Sequence, residues 1–513
     1  MAFPVSLLRV PLQPAGHGGE EAIIADVATS RSVSYESLEK RPICVDLDGT
    51  LIKTDMLAEG LVAIFSSRQH LARILTLVTT NKALLKQRVA ELAECAPELL
   101  PYNTELISFL RKKRQEGHQL ILATAADAHV ANAVADYLRL FDEVICSDGM
   151  NNLKGEQKAA ALIRRFGPKG FDYVGNDRSD LPSWRAAAEI ITVNASRSVV
   201  DEARQIGLPT TTFDARPLLM SSMLRAMRPH QWSKNLLVFV PMITAHAITE
   251  VSAWLGAIAL FLSLSATASA LYIVNDAFDL SADRRHPRKR MRPLASGALA
   301  IPIGAALAVI LFVLGTGLAW LCGALSIVFT YAAISLAYSL VFKRFPLVDV
   351  FVLAALYTLR VLGGGIASGH RATPWLLAFA GFTFLSLALV KRAGELLALE
   401  RSHEKRGNAG RGYEVADCAI IQMFGCASAF SSGVVLALFI GSTSVLQLYR
   451  APEVLWLIVP VILLWHCRLW LATVRGNMHD DPIVYTLKDW VSWVVAATIL
   501  LIMFAASIGI ALD

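Results

Sequence analysis

The chain has 513 residues, of which 55% are hydrophobic and only 18% charged, and its formal net charge is +6. This composition excludes a soluble monomer, a fibrous protein and a disulfide scaffold. Residues 1–200 hold 23 basic and 24 acidic residues, whereas residues 201–513 hold only 25 and 18. The sequence therefore predicts a soluble module followed by a membrane module. The seven cysteines are scattered without a C-x-x-C pair, so they predict neither a metal site nor a bridge framework.

The first 40 residues carry no pattern of regular structure. Their apolar stretch, residues 3–10, is short and is interrupted by Pro4 and Arg9, so we expect a flexible lead-in rather than a secretory signal. Residues 41–205 then alternate short apolar runs with helix-like segments, which predicts an α/β domain with a parallel sheet. Within it, residues 55–105 predict a small inserted helical cap. Residues 206–224 predict a linker.

Acidic residues follow the first predicted strand. Asp46 and Asp48 stand at i and i+2, and Gly49 permits a tight turn beside them. Such a pair can hold Mg²⁺, and one carboxylate can attack phosphorus while the other moves the proton. An ordinary acidic turn is the alternative, because turns favour Asp and Gly. Polar residues near the ends of the later strands complete the set: Thr124, Lys154, Lys158, Asn176, Asp177 and Asp180.

This ordered set resembles the haloacid dehalogenase superfamily of phosphohydrolases over about residues 40–200. The resemblance implies that Asp46 is the nucleophile, that Asp48 is the general acid and base, and that both hold Mg²⁺. It also implies that Thr124 binds phosphate and that Lys154 or Lys158 neutralises it.

The last motif departs from the pattern of that superfamily. Gly175 is followed by Asn176 where an acid is usual, so either Asp177 and Asp180 are the metal ligands, or Asp180 is one with help from Asn176. An inactive phosphatase remains an alternative.

From residue 225 to residue 513 the sequence predicts an all-α membrane domain. Nine apolar segments are long enough to cross a bilayer: 232–248, 253–275, 301–320, 324–342, 347–367, 374–390, 418–441, 454–471 and 489–511. Twenty basic residues lie in one set of connections and two in the alternate set. This asymmetry predicts a multi-pass protein of the inner (cytoplasmic) membrane with the soluble module in the cytoplasm.

The densest polar signal lies where the second segment meets the predicted cytoplasmic face. Asn275, Asp276, Asp279 and Asp283 share one side of a helix, where their carboxylates form a platform for Mg²⁺ and a diphosphate. A solvated acidic helix end is the alternative. Cationic and polar residues at the same face are candidate phosphate ligands, although basic loops also reflect topology. They are Lys234, Arg288, Arg290, Arg292, Tyr338, Lys343, Lys391 and Arg392, with Asp480 and Asp481 nearby. Arg360 lies inside a span, so it is either a site residue or a structural partner to a helix end.

The N-D-x-x-D-x-x-x-D motif and the nine predicted spans resemble the UbiA-type intramembrane transferases over about residues 225–511. Typical members transfer a prenyl group from its diphosphate and carry a second aspartate-rich motif, where this chain has Lys391 and Arg392 instead. Together with the opening segment 228–235, that departure resembles the decaprenyl-phosphate phosphoribosyltransferase branch. The resemblance implies phosphoribosyl diphosphate as donor, polyprenyl phosphate as acceptor and Mg²⁺ as cofactor.

The two resemblances together predict a bifunctional enzyme of cell-envelope biogenesis. The membrane module would form a lipid-linked ribose 5-phosphate, and the soluble module would remove its 5-phosphate. The expected partners are the two substrates and the lipid bilayer, with no nucleic acid, and self-association stays open. The alternatives are an aromatic or lipid prenyltransferase with a fused phosphatase, a transporter, and a membrane-tethered module with an inactive phosphatase.

Overall fold

The computed structural model describes residues 40–66, 82–93, 96–147, 152–214, 216–401, 412–442, 445, 448–478 and 481–509. Apart from Lys40, the predicted lead-in lies outside these ranges, and so does Asp480.

Six parallel strands form one sheet in the soluble module, as the sequence predicted. They are β1 Ile43–Val45, β2 Leu120–Asp127, β3 Glu143–Ser147, β4 Asp172–Gly175, β5 Ile190–Val193 and β6 Thr210–Phe213, in the spatial order β3-β2-β1-β4-β5-β6. The central strands are apolar on both sides because helices cover both faces. The sheet continues past residue 205, the expected end of the domain, since β6 lies in the predicted linker and pairs with β5.

Helices pack on the two faces of this sheet through alternate residues of its strands. Five helices do so: α3 Thr104–Gln115 and α4 Ala128–Leu138 on one face, and α5 Glu156–Phe166, α6 Leu181–Ala186 and α7 Arg197–Arg204 on the other. In β1, Ile43 and Val45 point to the first face and Cys44 to the second. Two more helices, α1 Met56–Ser66 and α2 Lys82–Leu92, lie in the segment predicted as a cap. The carboxyl ends of the strands therefore open towards this cap.

The membrane module is entirely helical in the residues that the structure describes. Its helices are α8 Leu219–Met227, α9 Val240–Thr244, α10 Val251–Phe278, α11 Leu280–Arg285, α12 Ile301–Leu321, α13 Leu325–Leu340, α14 Val348–Ala367, α15 Pro374–Arg401, α16 Cys418–Ile440, α17 Ile458–Val474, α18 Pro482–Lys488 and α19 Trp490–Ile508.

Within the described ranges, seven helices are long and apolar enough to cross a membrane. Two of the nine predicted segments are shorter in the structure. One is α13 with 16 residues, and the other is a 3₁₀ segment, Pro229–Phe239, that continues into α9. Pro241 near the start of α9 removes a backbone donor, which accounts for the irregular entry.

Helix α1 packs against the membrane module as well as against its own cap. Its Ala58 and Val62 join an apolar cluster that includes Ala226, Ile273 and Leu280. This contact places the carboxyl edge of the sheet beside the junction of α10 and α11.

Candidate active sites

In the soluble module, Asp46 leaves the end of β1 beside a buried lysine. The backbone N–H of Asp46 donates to the carbonyl oxygen of Val174 in β4, so the sheet itself fixes the turn. The Nζ of Lys158 donates to Oδ1 of Asp46 at 2.7 Å, and both residues are buried. Of the two lysines left open by the sequence, the structure brings Lys158 to Asp46, whereas Lys154 is exposed.

The same lysine connects the first and last motifs of the soluble module. Its Nζ also donates to the hydroxyl of Tyr173 at 2.9 Å, and that hydroxyl donates to Oδ1 of Asp180 at 2.9 Å. The other oxygen of Asp180 accepts the backbone N–H groups of Asn176 and Asp177 at 2.9 and 3.1 Å. Asp180 thus holds the third loop in shape from a buried position.

Asp177 and Asn176 lie differently from each other. The carboxylate of Asp177 is exposed, accepts the hydroxyl of Ser179 at 3.2 Å and caps the short helix that contains Asp180. Asn176 packs on the turn of the first motif, since a Cβ added to Gly49 would lie 2.2 Å from its Nδ2. Gly49 also has a φ of +74°, so two independent constraints favour glycine there.

Asp48 and Thr124 occupy the mouth of this site. Oδ1 of Asp48 accepts the backbone N–H of Met56 at 2.9 Å, which ties the first motif to the start of α1. Thr124 is fully buried, and its hydroxyl accepts the backbone N–H of Ala126 at 3.0 Å. Lys86 of α2 reaches in from the cap and donates to the carbonyl oxygen of Ala125 at 2.7 Å. The sequence analysis missed Lys86, since cap lysines at a helical spacing usually face solvent.

Burial sets the electrostatics of the two carboxylates. It raises the pKa of Asp46 to about 6, against the opposing effect of the Lys158 ammonium. Burial also raises the pKa of Asp48 to about 7, with Asp55 and Asp46 adding to the shift. Both shifts express the cost of placing negative charges close together in a poorly solvated cleft.

The donor set of the soluble site fits magnesium. Asp46 and Asp48 supply two carboxylates on one turn, and Asn176 lies beside that turn with its Nδ2 nearest to Gly49. The candidate oxygen donors are therefore the two carboxylates. These hard oxygen donors are the kind that Mg²⁺ prefers. No group of three or more His, Cys, Asp or Glu side chains with the arrangement of a metal site occurs among the described residues.

In the membrane module, α10 and α11 carry the aspartate-rich motif. Nη1 of Arg292 donates to Oδ1 of Asp276 at 3.1 Å and to Oδ2 of Asp283 at 2.6 Å. Nη2 of Arg228 donates to the same oxygen of Asp276 at 2.5 Å. Two of the carboxylates therefore converge on one guanidinium nitrogen, at a position that a cation can occupy. Carboxylate oxygens are the donors that Mg²⁺ prefers, and in this structure Arg292 and Arg228 neutralise the pair.

Asp279 and Asn275, the other two polar residues of the motif, are less buried than Asp276 and Asp283. The carboxylate of Asp279 is 39% exposed and lies 3.5 Å from the Nζ of Lys343. Asn275 is half-buried at the end of α10. Further along the loop, Arg288 and Arg290 are exposed.

A second cluster, here called the lysine cluster, consists of Lys234, Lys391 and Asp481. The Nζ atoms of Lys234 and Lys391 lie 2.8 and 3.3 Å from the same Oδ2 of Asp481. Burial raises the pKa of Asp481, but the two ammonium groups outweigh it and lower that pKa to about 2. The cluster holds two cations against one anion, a surplus of positive charge.

Arg392 and Arg360 are enclosed by protein partners instead. Arg392 is 2% exposed and donates to Asp349 at 2.6 Å, to Glu395 at 2.5 Å and to the hydroxyl of Tyr338 at 3.3 Å. The sequence analysis missed Asp349, since 43 residues separate the pair.

Arg360 is likewise buried in the bundle. It donates to Asn235 at 2.8 Å, to the carbonyl oxygen of Leu356 at 2.6 Å and to the hydroxyl of Tyr331 at 3.2 Å. Its guanidinium is thus held by groups from three separate segments of the membrane module.

Comparisons with known proteins agree with this division. Residues 236–508 match the UbiA prenyltransferase family, and residues 43–185 match the haloacid dehalogenase-like hydrolases. The chain is 36% identical to the protein y4nM of Sinorhizobium fredii over 90% of each chain. It is also 36% identical to the decaprenyl-phosphate phosphoribosyltransferase of Corynebacterium glutamicum, over 36% of this chain and 58% of that relative. A solved structure of a UbiA homolog from Archaeoglobus fulgidus, bound to GPP and Mg²⁺, is 18% identical, with a TM-score of 0.44 over 56% of this chain and 99% of that chain.

Proposed function

We propose that this chain, which belongs to the UbiA prenyltransferase family and carries an N-terminal haloacid dehalogenase-like module, transfers 5-phosphoribose from phosphoribosyl diphosphate to a polyprenyl phosphate. The soluble module then removes the 5-phosphate from the lipid-linked product. The similarity to decaprenyl-phosphate phosphoribosyltransferases supports this kind of reaction.

The lysine cluster is the observation that carries the proposal. A transferase that accepts a neutral acceptor needs cations only around its diphosphate donor. Here a second cationic site, Lys234 and Lys391 around Asp481, accompanies the acidic pair Asp276 and Asp283. Two negatively charged substrates that must approach each other require charge neutralisation on both sides.

The transfer step follows from these two sites. The bond between C1 of the ribose and the diphosphate breaks, the diphosphate leaves, and a lipid phosphate oxygen forms the new bond to C1. The acceptor phosphate is already nucleophilic, so no general base is required. Asp276 and Asp283 would hold Mg²⁺, assisted by Asn275 and Asp279, and the bound ion would neutralise the departing diphosphate. Lys391 and Lys234 would orient the acceptor phosphate, so that positioning supplies much of the rate.

The second step uses the soluble module. The Asp46 carboxylate attacks phosphorus, the bond from phosphorus to the ribose O5 breaks, and Asp48 supplies the proton to that oxygen. Water then attacks the aspartyl phosphate, Asp48 takes back a proton, and inorganic phosphate leaves. Lys158 holds Asp46 in place at 2.7 Å. Asp46 and Asp48 would also hold Mg²⁺, with Asn176 in place of the usual acid.

We place both sites on the cytoplasmic side of the inner membrane, because the basic connections of the membrane module lie on that side by the positive-inside rule. The soluble donor, phosphoribosyl diphosphate, is then available to the membrane module.

The test is to supply the reconstituted protein with radiolabelled phosphoribosyl diphosphate, Mg²⁺ and polyprenyl phosphate. Label that enters the organic phase supports the transfer. If label stays in the water while the same protein releases diphosphate from a prenyl diphosphate, the chain is a prenyltransferase instead. If neither reaction occurs, the transfer proposal is wrong.

A further inference from the structure

The cap of the soluble module is bound to the aspartate-rich helix of the membrane module by a buried ion pair. Arg284 of α11 donates to both oxygens of Glu59 in α1, through Nη1 at 3.0 Å and Nη2 at 2.6 Å. The side chains of Arg284 and Glu59 are only 7% and 10% exposed. We call this pair the latch. Bidentate geometry fixes the orientation of α1 as well as its distance from α11.

The latch is linked by hydrogen bonds to the first motif of the soluble site. Glu59 also accepts the hydroxyl of Thr54 at 2.7 Å. The carbonyl oxygen of Thr54 accepts the backbone N–H of Gly49 at 3.0 Å, directly after Asp48. A continuous set of contacts therefore runs from the catalytic turn to the membrane module.

This contact encloses a pocket whose walls come from both modules. Asp48, Lys86 and Asp127 are among the lining residues from the soluble module, and Phe278, Leu280 and Ser281 are among those from the membrane module. Of the residues in α11, Leu280, Ser281 and Arg284 line this pocket, whereas the carboxylate of Asp283 accepts a hydrogen bond from Arg292. The α10–α11 junction thus contributes side chains to both sites.

The pocket has an uneven chemical character. Both modules contribute polar lining residues, whereas much of the remaining lining is apolar: Met56, Leu57, Val62, Val89, Val130, Phe278 and Leu280. Such a lining suits an amphiphilic molecule with a phosphate at one end better than a freely soluble sugar phosphate.

We propose that this pocket is an interdomain substrate site for a phosphomonoester carried by a lipid in the same bilayer, and that the latch holds the cap in the position that completes it. This inference rests on the proposed function and names the substrate class of the soluble site. The phosphate approaches the catalytic turn at Asp48, which lines the pocket, and the lipid-bearing end remains against Phe278 and Leu280. Only the phosphate is transferred, first to Asp46 and then to water.

The experiment separates the delivery of a lipid-borne substrate from the intrinsic chemistry. The full-length protein in proteoliposomes receives polyprenyl phosphate, Mg²⁺ and phosphoribosyl diphosphate labelled in its 5-phosphate. Transfer is read as label in the organic phase, and hydrolysis as label that returns to the water as inorganic phosphate. Hydrolysis of p-nitrophenyl phosphate by the same sample reports the intact soluble site.

Charge reversal then tests the latch. In Glu59→Arg, release of phosphate from the lipid should fall about 10²-fold, since misplacement of a substrate by an ångström has effects of this size. Hydrolysis of p-nitrophenyl phosphate and ribosyl transfer should change little. The double variant Glu59→Arg/Arg284→Glu should recover most of the lost rate. Glu202→Arg, which reverses one partner of an exposed ion pair with Arg178, is the matched control and should have no effect.

Three results would overturn the inference. Unchanged release from the lipid in Glu59→Arg would show that delivery does not use this contact. A parallel loss with p-nitrophenyl phosphate would make the latch a stabilising contact of the soluble site only. No label in the organic phase with Asp46→Asn, which cannot release the phosphate, would refute the proposed transfer, and the substrate named here with it.

Discussion

The soluble and membrane modules hold their acidic side chains by different means. In the soluble module, Asp46 is placed by a sheet edge and meets one buried lysine, Lys158, through a single short contact. In the membrane module, Asp276 and Asp283 are held by Arg292 from the following loop, and Asp276 also by Arg228 from before α10. The sheet edge of the soluble module holds Asp46 in place before a substrate binds. In the membrane module, ion pairs hold Asp276 and Asp283 together, and a bound ligand would have to replace the arginines.

The largest effect is expected when the proposed nucleophile of the soluble module is removed. Asp46→Asn should lower phosphate release on the order of 10³-fold or more, because the covalent step is lost, while transfer to the lipid continues. Phosphate release and organic-phase label in one sample measure both. Asp177→Asn is the control, since its carboxylate is exposed and its hydrogen bond is to Ser179, and an equal loss there would contradict the site described.

The next largest effect is expected at the aspartate-rich motif of the membrane module. Asp276→Asn or Asp283→Asn should lower ribosyl transfer by about 10²–10³-fold, the usual loss when one preorganised electrostatic group is removed. Asp279→Asn should cost less, because that carboxylate is 39% exposed and 3.5 Å from its cation. Initial rates of organic-phase label test the order. Equal losses at all three positions would mean that the ligand draws Asp279 fully into the site.

A third prediction tests whether Arg392 stabilises the fold or binds the substrate. Arg392→Met should destabilise the protein by about 3–5 kcal/mol, because it leaves the Asp349 carboxylate buried without its partner. Thermal unfolding in detergent measures this, and the double variant Arg392→Met/Asp349→Leu should recover much of the loss. A raised KM for polyprenyl phosphate without lost stability would instead make Arg392 a binding residue.

The smallest effect tests the lysine cluster. Lys391→Met should raise the KM for polyprenyl phosphate roughly tenfold. A tenfold change corresponds to about the free energy of one hydrogen bond to a charged group. Steady-state transfer at varied lipid concentration measures it. Arg371→Met, in the loop between α14 and α15, is the matched control and should leave that KM unchanged. A larger effect on the KM for the donor would assign the cluster to the diphosphate.

The sequence was sufficient for the fold class, since strand-like and bilayer-length apolar runs depend on local composition. It also located Asp46, Asp48 and the aspartate-rich motif, because these groups are close in sequence. It could not choose between Lys154 and Lys158, because the choice depends on where α5 begins. The helix starts at Glu156, which leaves Lys154 outside and turns Lys158 towards β1.

Partners distant in sequence were the hardest to predict. Arg392 was expected at the substrate, but Asp349 and Glu395 enclose it. Arg360 likewise finds Asn235, 125 residues away. Nothing local indicates such pairs, because they arise only when separate helices pack side by side. Asp481 and Lys234 are a further pair of this kind. They are 247 residues apart in the sequence, and the bundle brings the Nζ of Lys234 to 2.8 Å from Oδ2 of Asp481.

The shared position of α1 has a practical consequence for expression. A fragment cut after β6 would keep the whole sheet, yet it would turn Ala58 and Val62 to water and leave Glu59 without its arginine. Exposed apolar surface of this kind favours self-association. Such a truncation should therefore aggregate unless detergent replaces the missing bundle, and the intact chain is the better starting material for purification.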